Sequence, residues 1–156
     1  MSATIAANFL MLGLAGLLLR AAVGDIRTFN ISNELNMAIM ALAPFVWSAN
    51  DLSWIDVGWT LVAAGGVFAF MTGAFFLGLM GGGDVKMAPA VMLWFSATEA
   101  LDFLLVMSAV GGLVTLFQLV RHRVARREGR PEIPYGVAIA AAGLWLIAER
   151  YLYQFS

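Results

Sequence analysis

Apolar residues run along this chain in six stretches, 5–23, 35–49, 57–80, 87–97, 101–120 and 134–153, with short polar breaks between them. A helix that crosses a bilayer needs about 20 predominantly apolar residues. The pattern therefore predicts an all-α chain of about six helical spans. The first stretch has no basic segment before it and ends directly on Asp25, so it reads as a retained anchor and not as a cleaved signal peptide. The fourth, 87–97, covers only about half of a span's length and is tilted, extended through Asp84 and Glu99, or re-entrant. Pro89 within it suits the first turn of a helix.

Composition fixes the solvent. With 62% hydrophobic and 12% charged residues and a mean hydropathy of +0.86, the chain is expected to be an integral membrane protein in contact with lipid. There is no cysteine, which excludes a disulfide, a thiolate metal site and a cysteine nucleophile, and the single His122 cannot supply a multi-histidine site. Neither a metal nor a cofactor is expected. The net charge of −1 carries no information about partners, nucleic acid is not expected among them, and the oligomeric state is not readable.

The placement of charge says more than its sum. Arg20, Arg27, Lys86, Arg121, Arg123, Arg126, Arg127 and Arg130 lie at alternate breaks, whereas Asp51, Asp56, Glu99 and Asp102 occupy the others without a Lys or Arg. That alternation is the positive-inside signature of full crossings. A re-entrant fourth stretch would put the run from Arg121 to Arg127 on the outer side, so the stretch is expected to cross. The N-terminus then lies outside, and Asp25 and Asp84, two crossings apart, return to one cytoplasmic face. The break at 121–133 is the longest, basic and solvated, and residues 1–156 are expected to form a single transmembrane domain. Gly65, Ala69 and Gly73 recur every four residues in the third stretch and predict a face on which a neighbouring helix packs closely. The methionines and phenylalanines read as core or lipid-facing filling.

Two polar segments interrupt the apolar pattern with chemistry: Gly24-Asp25-Ile26-Arg27 and Gly81-Gly82-Gly83-Asp84-Val85-Lys86. An ionisable residue costs about 2.5–3.5 kcal/mol at the centre of a span, and less near the headgroups. Carboxylates at a membrane edge are often just polar helix ends, and Asp25 beside Arg27 could form a loop ion pair of little worth. Two similar carboxylates also suit acid/base work. Gly81, Gly82 and Gly83 favour the second reading, because three consecutive glycines predict an unwound backbone open to close approach, against which an extended substrate strand can lie. Other hydrolase plans fail on inventory: there is no HExxH motif, and His122 has no evident serine partner.

These residues carry a resemblance. Asp25-Ile26-Arg27-Thr28-Phe29-Asn30-Ile31-Ser32-Asn33 resembles the first motif of the type IV prepilin peptidases, and Gly81-Gly82-Gly83-Asp84-Val85-Lys86 resembles their G-x-G-D-x-K signature. The G-x-G-D part is shared with presenilin-type membrane aspartyl proteases. Ile133-Pro134-Tyr135-Gly136-Val137-Ala138 is similar to the P-Y-G patch that opens the last helix of that family. The three occur in order over nearly the whole chain. Larger members carry a cytoplasmic insertion with two cysteine pairs that binds zinc and accompanies N-methylation; this chain lacks both and resembles the short, peptidase-only branch serving Flp-type tight-adherence pili. Archaeal preflagellin peptidases are the next relatives.

The resemblance implies a membrane aspartic endopeptidase with Asp25 and Asp84 as its catalytic pair, a prepilin or pseudopilin as substrate, and cleavage of a basic leader near the inner boundary of the cytoplasmic membrane. Two such carboxylates share a proton, and which of them acts as base is not written in the sequence. Among the supporting residues, Arg27 and Lys86 either tune the pair or meet the membrane surface. Asn33 orients a carboxylate or caps the second helix. Pro134 and Tyr135 fit a helix start and interfacial anchoring equally well. Glu34 has no assigned role. The competing class is a transport or scaffold protein whose aspartates bind a proton or cation at a broken helix, deep in the bilayer.

Overall fold

A computed structural model describes residues 2–125 and 132–154. Six helices follow one another: α1 (Ser2–Thr28), α2 (Asn33–Ala49), α3 (Trp54–Phe76), α4 (Gly82–Met92), α5 (Ala100–Val124) and α6 (Tyr135–Gln154), with one 3₁₀ turn, Ala97–Glu99, leading into α5. All six expected elements are present. Arg126, Arg127 and Arg130, which shaped the reading of the basic break, lie outside the described residues.

Three segments are long and apolar enough to cross a membrane: Ala3–Thr28, Trp54–Phe76 and Ala97–Val124. Their outer faces show why the chain cannot be water-soluble: Phe9, Phe70, Phe76, Leu113 and Phe117 are all more than half exposed. Such a surface is stable against hydrocarbon and unstable against water.

The short helix α4 sits at the centre. Its 11 residues rise only about 16 Å, half a hydrocarbon core. It packs against α2, α3 and α6, and from Asp84 to Met92 only Lys86 is exposed. Nevertheless it leads the chain from one end of the bundle to the other. Residues just before and at its start share a cavity wall with Phe29 at the end of α1, Thr115 in α5 and Tyr135 at the start of α6. Residues just past its end share another with Asn50, Asp56 and Arg150. Successive helices therefore run in alternating directions.

Two tryptophans fix α4 and its extension against α2. Trp47 Nε1–H donates to the Leu93 carbonyl at 2.7 Å, and Trp94 Nε1–H donates to the Ile39 carbonyl at 2.9 Å. Trp47 satisfies the carbonyl of Leu93, which caps the end of α4, and Trp94, one residue on, ties this extension to the middle of α2.

Three expectations are corrected here. The helix of the fourth stretch starts at Gly82, so Pro89 stands in its last turn and not its first; there it cannot donate to the Val85 carbonyl, and α4 ends within a turn of it. The second helix is capped by Ser32, whose Oγ accepts the Leu35 amide at 3.3 Å, and not by Asn33. The Gly65–Ala69–Gly73 face of α3 carries no helix: added Cβ atoms at Gly65 and Gly73 would meet nothing within 4 Å. The buried face of α3 is instead Thr60, Ala64, Val67 and Met71. Small residues permit close approach, but the larger apolar stripe decides which face is buried.

Candidate active site

Asp25 lies in the last turn of α1 and Asp84 in the first turn of α4. They are 3% and 6% exposed, two of only four buried polar or charged side chains among the described residues. Buried carboxylates require hydrogen bonds, and the two obtain theirs differently.

Asp84 takes its bond locally. Gly81 is the residue that caps α4, with extended backbone, and its amide donates to Asp84 Oδ2 at 3.2 Å. This is the carboxylate half of a capping box, with the acid at the third helical position. Asp84 Oδ1 is buried and has no hydrogen-bond partner among the described residues.

Asp25 takes its bond from across the bundle. Gly136 N–H donates to Asp25 Oδ2 at 2.7 Å. Gly136 is the second residue of α6, where amides have no partner within their own helix. Pro134, just ahead, has no side-chain acceptor to offer. Asp25 thus caps α6 from another helix, a charge-assisted bond at the positive end of a helix dipole.

Ile31 links the surroundings of the two acids: added Cβ atoms at Gly83, beside Asp84, and at Gly136, beside Asp25, would both meet it. The two carboxylates are close enough to repel each other. The third sequence patch therefore belongs at the same place as the first two. A Cβ at Gly136 would lie 2.8 Å from Asp25 Oδ2 and 2.6 Å from Ile31 Cδ1. Only glycine lets α6 approach this closely.

The three glycines before Asp84 divide in the same way. None has positive φ, and Gly82 and Gly83 are helical, so the run is a helix start and not the unwound segment that the sequence suggested. At Gly83 a Cβ would press on the backbone of Ile31 at 3.2 Å, and at Gly81 on Asp84 Oδ2 at 3.3 Å. At Gly82 it would meet only Phe75 at an ordinary 3.7 Å. The G-x-G-D pattern thus has a steric origin: two positions without room and one with it. The non-helical backbone lies just upstream, around Gly78 at φ +69°.

A cavity of about 510 Å³ opens beside the pair, walled by Phe29, Gly78, Met80, Gly81, Asp84 and Tyr135 among others. Asp84 faces it. The Tyr135 hydroxyl lies 3.5 Å from Thr115 Oγ1, which steadies the ring on the wall.

Residues 12–116 match the family model described as the type IV leader peptidase family. The chain belongs to that family. No curated protein and no solved structure matches it. The matched span includes both aspartates and ends before Pro134-Tyr135-Gly136. The molecule is a protease of the membrane.

Not every expected residue reaches the peptidase's carboxylate pair. Arg27 is exposed and touches neither acid by a hydrogen bond or ion pair among the described residues. Lys86 is also turned outward, where its Nζ donates to Asn33 Oδ1 at 3.0 Å. Asn33 therefore neither caps a helix nor orients a carboxylate; it ties α2 to α4. One turn further along α2, Asn36 makes a second tie. It is buried, and its Nδ2 donates to the Gly83 carbonyl at 3.2 Å. Asn36 was absent from the sequence expectations, and Ile31 stood in the first motif without an assigned role. A polar residue inside the apolar stretch 35–49, three positions after Asn33, was the available signal for Asn36. Ile31 offered none.

Proposed function

We propose that the peptidase is an aspartic endopeptidase that removes the basic leader of a Flp-like type IV prepilin or pseudopilin. The burial of Asp25 and Asp84 close enough to repel each other, beside a cavity that Asp84 faces, carries this reading. In the mechanism, one carboxylate is ionised and takes a proton from water as the water oxygen attacks the scissile carbonyl carbon. The other is protonated and hydrogen-bonds the carbonyl oxygen. The tetrahedral intermediate then breaks its C–N bond as the departing nitrogen receives a proton. Two carboxylates this close favour holding one proton between them, which prepares both roles at once.

Arg27 and Lys86 belong in this reading to the membrane surface, where positive charge marks the cytoplasmic side. The carboxylate end of the bundle is thus cytoplasmic, the N-terminus is outside the inner membrane, and all six helices act as one peptidase unit. No metal takes part, and cleavage leaves an unmethylated N-terminus. A preflagellin-type substrate is the nearest alternative. The transport reading is less favoured because both acids stand at helix ends beside an open cavity and not midway along the bundle.

Co-expression with a candidate prepilin tests the proposal. Wild-type protein should release the leader, seen as a gel shift, with a free amino terminus by mass spectrometry. Asp25→Asn and Asp84→Asn should each leave the prepilin full length while the variants still accumulate in the membrane. Normal trimming by either variant would refute the two-aspartate mechanism.

A further inference from the structure

The end of the bundle opposite the aspartates holds a larger cavity, about 620 Å³, and nothing in the peptidase reaction uses it. It lies between the end of α2, the start of α3 and the connection from α4 to α5, and α6 contributes Arg150. Trp47, Trp59 and Trp94 contribute to the wall, and Asp56 and Arg150 bring opposite charges to it.

Neither charge is fully used. Asp56 Oδ2 accepts the Ser53 hydroxyl at 2.7 Å, while its other oxygen has no partner among the described residues. Arg150 approaches Glu99 only to 3.7 Å, beyond hydrogen-bond length, and Glu99 is already engaged by the amide and hydroxyl of Ser96. A guanidinium keeps five donors, so Arg150 has capacity for an oxyanion.

Depth identifies the ligand's surroundings. Trp54 and Trp59, at the start of α3, are 90% and 61% exposed. Exposed tryptophans at the end of an apolar helix mark the headgroup layer of a bilayer. The cavity is therefore level with lipid headgroups, and Trp59 joins its wall to the lipid-facing surface.

We propose that this cavity binds the headgroup of an amine-bearing zwitterionic phospholipid, phosphatidylethanolamine. The phosphate meets Arg150, and the ammonium meets Asp56 against the Trp59 ring, where a cation gains from the aromatic face. An anionic headgroup without an amine would satisfy Arg150 but face Asp56 and Glu99 uncompensated. A choline headgroup would place three methyl groups where Asp56 needs a donor. The acid–base pair thus selects among lipids of equal tail length.

Native mass spectrometry of the whole protein tests this, after equilibration with micelles containing equal amounts of phosphatidylethanolamine, phosphatidylcholine and phosphatidylglycerol. The wild type should retain phosphatidylethanolamine over each competitor by about tenfold, the scale of one partly desolvated ion pair. Asp56→Asn should bring the ratio close to one, whereas Arg150→Gln should lower the retention of all three lipids, since each carries the phosphate. Arg150→Lys should keep the retention that Arg150→Gln loses, which separates loss of charge from loss of fold, and unchanged helix content by circular dichroism should accompany every variant. Equal retention of the three lipids by the wild type, a preference that survives Asp56→Asn, or retention unchanged in Arg150→Gln would overturn the proposal. So would displacement of the lipid by free glycerophosphoethanolamine at equal concentration, since the site would then serve a soluble ligand. Prepilin trimming is not the readout, so this test and that of the proposed function fail independently.

Discussion

Asp25 and Asp84 are buried to nearly the same degree, yet one is supported by its own helix and the other by a helix far away in sequence. Asp84 accepts the amide of Gly81, three positions earlier. Asp25 accepts that of Gly136, 111 positions later. Local support comes with the helix that carries it: once α4 forms, its cap and its acid are in register. Remote support exists only when α1 and α6 are packed, and only while position 136 lacks a side chain. The two halves of one site therefore differ in what can destroy them.

Gly136→Ala should expose that difference most strongly. The added methyl would have to displace both Asp25 and Ile31. Turnover of a purified prepilin should fall by about 100-fold, the effect of a displacement near 1 Å at a reacting group. Thermal unfolding should show a loss of about 1–3 kcal/mol from overpacking. Unchanged turnover would mean that Asp25 does not depend on α6.

Asn36→Ala should do less. It removes the bond to the Gly83 carbonyl, worth about 1 kcal/mol, and loosens the start of α4 without touching Asp25. Turnover should drop by about fivefold, a change of about that energy, with substrate affinity little changed in the same rate measurements. A loss as large as that of Gly136→Ala would show that Asp84 is no better supported than Asp25.

Gly82→Ala should have the smallest effect. Position 82 is helical and has room. Alanine there should raise stability by about 0.5–1 kcal/mol through helix propensity. Turnover within about twofold of wild type would fit an effect confined to that propensity. A severe loss would mean that the middle glycine of the run serves flexibility and that the steric account of G-x-G-D is wrong.

The contrast between local and remote support also explains what the sequence could reveal. Six apolar stretches announced six helices, because each helix carries its own hydrophobic record. Both aspartates were visible as charges breaking that record. The P-Y-G patch was recognisable, but that Gly136 donates its amide to Asp25 is a fact of packing between α1 and α6 and has no local trace. The glycine run pointed to close approach, correctly at Gly81 and Gly83, and to unwinding, wrongly, since a glycine with ordinary φ begins a helix as readily as it ends one. On α3, the regular spacing of Gly65, Ala69 and Gly73 mimicked a packing face. Spacing records which side chains share a face and not whether a neighbour covers it. Asn33 was read as the cap of α2, and the cap falls one residue earlier, on the extended backbone of Ser32.

The most direct measurement of the central claim is the turnover of purified wild type, Asp25→Asn, Asp84→Asn and the double variant on the same prepilin. If the two carboxylates work as one unit around a shared proton, each single variant should be as inactive as the double, because removing either member removes the whole function. A single variant with a tenth or more of wild-type turnover, or a double variant whose loss is the product of two partial losses, would contradict it.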